Sequence, residues 1–168
     1  HCKSLELMMT LAEMACVVLN TADGRTKTER SREFATQWFR QRQADLPVEI
    51  GTAVPPDMPA RPDAPVLLAP RDVPRRKTGS ESGRNALLHA VAHIELNAVD
   101  LHWDLIVRFC NTAMPIGYYD DWVKAADEES KHFNLMCDCL EAHGSFYGAR
   151  PAHAGMWRAA EDTAEDFL

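Results

Sequence analysis

The sequence predicts an all-α protein, a helical bundle crossed by a proline-rich extended strap. Three observations carry that reading. Two long stretches, Asn85–Asn111 and Asp120–Gly144, repeat apolar residues at helical spacing. Shorter stretches on either side of them do the same. Eight of the ten prolines fall between Asp45 and Gly83, where no continuous helix can form. The boundaries that follow are 1–44 for an N-terminal helical pair, 45–83 for the strap and 84–168 for the bundle portion.

Ser4–Asn20 is predicted helical, with Leu5, Met8, Met9, Leu11, Ala12, Ala15, Cys16 and Leu19 as its stripe. Thr21–Thr26 reads as a turn broken at Asp23-Gly24. Thr28–Gln43 is a second, more polar helix that would bury Phe34, Trp38 and Phe39. Both helices suit the outside of a bundle.

In the proline-rich stretch the spacing favours polyproline-like chain. Val66, Leu67, Leu68 and Val73 are apolar enough to hold it on the helices. Arg71, Arg75, Arg76 and Lys77 form a basic cluster at its end, read as a solvated loop, with a phosphate or nucleic-acid contact as the alternative. Asn85–Asn111 then exposes apolar residues around much of its circumference, among them Leu88, Val91, Ala92, Val99, Ile106 and Phe109. Such a helix belongs in the middle of a bundle. Thr112–Tyr119, with Pro115 and Gly117, is a short loop, so the next helix should run antiparallel to this one. In Asp120–Gly144 the apolar face is Trp122, Ala125, Ala126, Phe133, Met136 and Leu140. A loop at Ser145–Gly155 leads to a last helix over Met156–Leu168, which reads as cut inside a helix. The chain opens on His1 rather than Met, which leaves a missing upstream segment or a removed targeting peptide open.

Composition narrows the function. A chain of 168 residues with a hydrophobic fraction of 46% can build one real core. A net charge of −7 argues against general nucleic-acid binding. No stretch is long and apolar enough for a membrane span. The five cysteines include no CxxC pair and lie mostly on predicted helices, which points to free thiols in a reducing, cytoplasmic setting.

The chemistry lies in three residues. Glu129 and His132, three apart, share the apolar face of their helix, and Glu95 sits inside the apolar surface of the preceding one. An ionised carboxylate facing a core is costly unless paired. One helix offering Glu and the next offering Glu-x-x-His is half of the ligand pattern of a carboxylate-bridged di-metal site. Glu95, Glu129 and His132 are therefore the candidate metal ligands. The bland alternative is a surface acid beside a boundary histidine. His89 and His93, one turn apart, could bind a metal but are read as packing or supporting histidines, as is His102. His143 and His153 read as loop residues.

The strings PARPDAPVL, PRRKTGS and GRNALLHAVAHIELNAVDLHWDLIVRF, followed by DDWVKAADEESKHFNLM, GSFYGARPAHAGMW and AAEDTAEDFL, carry a resemblance. From about Ala12 onward the chain resembles a bacterial family of ferritin-like domains of unknown function. That resemblance implies a ferritin-like bundle with Glu95, Glu129 and His132 binding a di-iron centre, manganese being the alternative metal. By architecture alone it also brings in the tRNA-modifying di-iron hydroxylases and the rubrerythrins, which would make the substrate a small molecule or a tRNA. Members of the family run on past the position of Leu168 and carry a further Glu and a further ExxH pair there. Neither is present here, and Glu161 and Glu165 do not match the motif. One chain thus supplies half a site. A two-fold homodimer would complete it with the same three residues from the partner copy; the competing expectation is a fragment whose missing C-terminal half supplies the second set. Three function classes remain: a di-iron oxidase or hydroxylase, an iron-oxidising and iron-handling protein, and a metal-free helical scaffold.

Overall fold

The computed structural model describes residues 9–75 and 79–162. Of the residues singled out above, Leu5, Met8, Arg76, Lys77 and Glu165 lie outside that description. The described chain is mainly helical: α1 (Leu11–Leu19), α2 (Gly24–Gln43), α3 (Glu81–Arg108), α4 (Ile116–Ala142) and α5 (Arg158–Asp162). Two two-residue strands, β1 (Leu67–Leu68) and β2 (Ala152–His153), pair in parallel. No helix among the described residues is long and apolar enough to cross a membrane.

α1 starts at Leu11, later than expected, because Thr10 takes the N-cap and accepts the Glu13 N–H at 3.2 Å. Met9 therefore precedes the helix and is exposed. α2 starts earlier than expected, because Asp23-Gly24 is a cap rather than a break. The Asp23 carboxylate accepts the Thr26 N–H at 2.9 Å, and Gly24 is the first helical residue. Gly24 is there for close approach: a Cβ on it would lie 2.8 Å from Cζ of the buried Phe133. Gly24→Ala is accordingly expected to cost about 1–3 kcal/mol through overpacking, measured as a fall in the urea midpoint at unchanged slope. A midpoint equal to that of the parent protein would mean that Phe133 can yield.

α3 is capped by Ser80, which accepts the Gly83 N–H at 3.0 Å. α4 begins at Ile116 rather than Asp120, since Pro115 sits at its cap, where a missing N–H costs nothing. The connection is then short, and α3 and α4 pair as an antiparallel hairpin, with the Tyr118 hydroxyl donating to the Leu105 carbonyl at 2.8 Å. α1 packs on α3 and α2 on α4. Leu11, Val18, Phe34, Trp38, Val99, Trp103, Ile106 and Val123 make the main core. Ala92, Leu96, Phe133, Cys137 and Leu140 make a second cluster towards the other end of the hairpin.

Among its described residues the 44–80 segment has no helix beyond the 3-10 turn Pro70–Asp72. It lies along the helices by backbone pairing: the Leu11 and Ala12 N–H groups donate to the Glu49 and Ile50 carbonyls, and the Ala60 N–H donates to Leu19. Val48, Ile50 and Ala53 pack on the core. The expectation that Val66 and Leu67 would be among the anchors needs correction, while Leu68 and Val73 are half-buried. Val66 is 61% exposed and Leu67 36% exposed. β1 instead meets the loop after α4 edge to edge. The last predicted helix is shorter within the described residues, a 3-10 turn Ala154–Met156 followed by α5, with Trp157 and Ala160 buried. Cys16, Cys110, Cys137 and Cys139 are free thiols.

Candidate metal centre

Glu95 projects from α3, and Glu129 and His132 project from facing turns of α4. Side-chain ligand atoms of the three lie within 4.8 Å of one another. His132 Nδ1 is 3.7 Å from Glu95 Oε2 and 3.5 Å from Glu129 Oε2. Those separations are loose ion-pair distances rather than hydrogen bonds. They leave the three groups aimed at a common point. The donor set, two carboxylates and an imidazole, suits iron or manganese.

The site does not sit where the apolar faces suggested. Glu95 is 18% and Glu129 27% exposed, but His132 is 52% exposed. The reason is that α1 and α2 cover the other side of the hairpin. The fully packed side of α4 is Val123, Ala126, Ser130, Phe133, Cys137 and Leu140. The side carrying Glu95, Glu129 and His132 has a half-buried border, with Leu88, Val91 and Ala98 on α3 and Trp122, Ala125 and Met136 on α4. Two turns along α3 from Glu95, His102 lies against Trp122 with ring centroids 5.2 Å apart. Its Nδ1 is buried without a hydrogen-bond partner, and burial pushes its pKa down to about 4.

The other histidines are engaged elsewhere. His93 is buried, with Nδ1 2.9 Å from the Tyr147 hydroxyl and Nε2 2.9 Å from the His153 carbonyl. His89 Nε2 accepts the Gly148 N–H at 3.0 Å, and the Tyr147 ring stacks on His89 at 5.2 Å. Neither joins the Glu95 cluster, and the packing reading of this pair is the one the contacts fit. His143 is exposed and reaches only the Cys139 carbonyl. Glu161 is exposed on α5 and outside the cluster.

Sequence reasoning missed a polar interior on the covered side. Lys27 and Asp100 form an ion pair at 2.5 Å, with side chains only 1% and 2% exposed. The Arg61 guanidinium donates to Asn97 Oδ1 at 2.9 Å close by. Trp38 and Arg42 converge on Asp120 at 2.8 and 2.9 Å, which holds its carboxyl below the usual range. The available signal was register. Lys27, Ser31, Phe34 and Trp38 occupy one face of α2, so Lys27 had to point where Phe34 points.

A family model, "Protein of unknown function (DUF455)", matches residues 20–168. The chain belongs to this family. An uncharacterized protein of Haemophilus influenzae (strain ATCC 51907 / DSM 11121 / KW20 / Rd) is 38% identical over 154 residues, covering 88% of this chain and 54% of that protein. The chain thus spans about half the length of this curated relative. No solved structure matches it.

Proposed function

We propose that this DUF455 chain is a ferritin-like di-iron carboxylate protein, an oxidase or hydroxylase, and that Glu95, Glu129 and His132 are half of its metal site. The observation that carries the reading is the convergence of two carboxylates and one imidazole from adjacent antiparallel helices within 4.8 Å. The bound metal, iron or in its place manganese, would supply redox chemistry with dioxygen. The two carboxylates would offset its charge, and His132 would bind as neutral imidazole. The half-buried border of Trp122, Met136, Leu88 and Val91 would limit water around it. His102, whose buried Nδ1 has no hydrogen-bond partner among the described residues, would add to that border through its contact with Trp122. The proline-rich segment acts as a strap that holds α1 and α3 in register. The remaining ligands come from a second copy, in a two-fold homodimer that lays hairpin against hairpin. The substrate is a small molecule or a tRNA, and the setting is cytoplasmic.

Iron handling without an organic substrate is the alternative within the same site. A metal-free scaffold is the third reading, in which His132 Nδ1, 3.7 Å from Glu95 and 3.5 Å from Glu129, would pair with the two carboxylates in place of a metal.

The test is metal analysis of protein from iron-supplemented cells, together with its mass in solution. An iron-loaded dimer is expected, and the Glu95→Ala/Glu129→Ala variant should lose iron by at least about tenfold at unchanged helix content. Iron retained by the variant would place the site elsewhere. A well-folded, metal-free monomer from the parent sequence would move the reading to the scaffold.

A further inference from the structure

A cavity of about 810 Å³ lies between the N-terminal half of α3, the Pro70–Arg75 stretch and the Arg150–Met156 stretch. That volume is in the range of small-molecule sites. It opens on a different stripe of α3 from the one carrying Glu95, so nothing below depends on the metal reading.

Its chemistry is one-sided. In a chain of net charge −7, no acidic side chain among the described residues lines this cavity, while Arg75 and Arg150 both do. Arg150 also donates to the Ser82 hydroxyl at 3.3 Å, which ties it to the start of α3. The two available lining imidazoles have assignable tautomers. His89 Nε2 accepts the Gly148 N–H at 3.0 Å, which leaves its proton on Nδ1. His153 Nδ1 accepts the Gly155 N–H at 2.9 Å, which leaves its proton on Nε2. Among the described residues the cavity wall thus carries cations and N–H donors and no carboxylate. The floor is apolar: Ala86, Ala90 and Ile94 follow one another at i, i+4 and i+8 along α3, with Val73 and Met156 beside them.

The wall is also built to keep its shape. β1 pairs with β2, and the buried His93 links α3 to the His153 carbonyl. Gly155 has no side chain because a Cβ there would lie 2.7 Å from His153 Cε1, so the ring rests directly on the backbone. A preformed pocket loses little entropy when it is filled.

We propose that this cavity binds a small amphiphilic organic anion, whose carboxylate or phosphate head meets Arg75 and Arg150 and whose apolar body lies over Ala86, Ala90 and Ile94. An ionised head with two guanidiniums takes charge-assisted hydrogen bonds, and no described lining residue is a carboxylate that would compete for them.

Calorimetric titration of the full chain with octanoate, octyl phosphate, octylamine and inorganic phosphate tests this. Saturable binding of octanoate or octyl phosphate is expected, and the tighter of the two names the head group. Arg75→Gln/Arg150→Gln should weaken it by about tenfold or more, and Ala90→Trp should abolish it by filling the floor. The Glu95→Ala/Glu129→Ala variant should bind as the parent does, which separates this site from the metal centre. Octylamine binding as tightly as the anions, inorganic phosphate binding as tightly as octyl phosphate, or full affinity in the arginine variant would each overturn the proposal. So would the absence of saturable binding by both anions.

Discussion

Replacing Lys27 by Met is expected to destabilise the fold by about 3–5 kcal/mol, the largest effect of any single substitution considered. Lys27 Nζ donates to Asp100 at 2.5 Å and to the Ala60 carbonyl at 2.9 Å, so one ammonium joins α2, α3 and the proline-rich segment. Removing it leaves a buried carboxyl and a carbonyl without their donor. Burial already pushes Asp100 up to about 6 and pushes Lys27 down, which says that neither charge is comfortable alone. Asp100→Asn should be costly for the mirrored reason. The double change Lys27→Met/Asp100→Leu should recover most of the loss, because no unpaired charge remains. A double-mutant cycle in urea measures this coupling. A raised folded-state pKa also fixes the sign of the pH dependence. Protonated Asp100 is favoured in the folded state, so its contribution is full below the unfolded value near 3.8 and is lost as pH rises through about 6. Without Lys27 that window should move further up, and the variant should regain stability on acidification from pH 7. Additive single losses, or a variant no more stable at lower pH, would show that the pair is not coupled.

The hairpin and the closeness of Glu95, Glu129 and His132 were legible because they depend on local rules. Glu129 and His132 are three apart on any helix, and the short connection forces the neighbouring helix to be antiparallel. That brought Glu95 alongside them without any knowledge of tertiary packing. Which side of the hairpin would be covered was not legible. Apolar residues ring most of α3, so periodicity names the helix as central without naming the face that α1 and α2 occupy. The same limit hid Lys27 and Asp100, whose burial is decided by each other across 73 residues of sequence. Helix starts failed for a smaller reason. Asp23-Gly24 and Pro115 signal both a turn and a cap; at Asp23 the choice turns on its carboxylate accepting the Thr26 N–H, and at Pro115 on a helix start that needs no N–H from the proline. Val66 and Leu67 were read as anchors from hydropathy, yet their segment is held by backbone pairing with Ala152 and His153, which hydropathy does not report.

Acidification should weaken the parent fold through two histidines that are buried in the neutral form. His89 and His102 are each held down at about 4 in the folded state, against about 6.5 in the unfolded chain. The causes differ in detail. His89 loses solvation first and then meets His93 and Arg150, both unfavourable to a further positive charge. His102 is depressed by burial alone, with its ring against Trp122. Between pH 6.5 and 4 the unfolded chain binds more protons at both sites, so stability falls as pH falls through that window. At pH 5 the loss is about 2 kcal/mol for each histidine. Asp100 acts with the opposite sign between about 6 and 3.8, and offsets part of it. Urea midpoints measured from pH 7.5 to 4.5 should therefore drop. His89→Gln, which keeps an acceptor for the Gly148 N–H, and His102→Phe, which keeps the stack on Trp122, should each flatten the slope by about one proton. An unchanged slope in both variants would mean that these rings are solvated and charged in the folded protein, and that their burial does not hold them neutral.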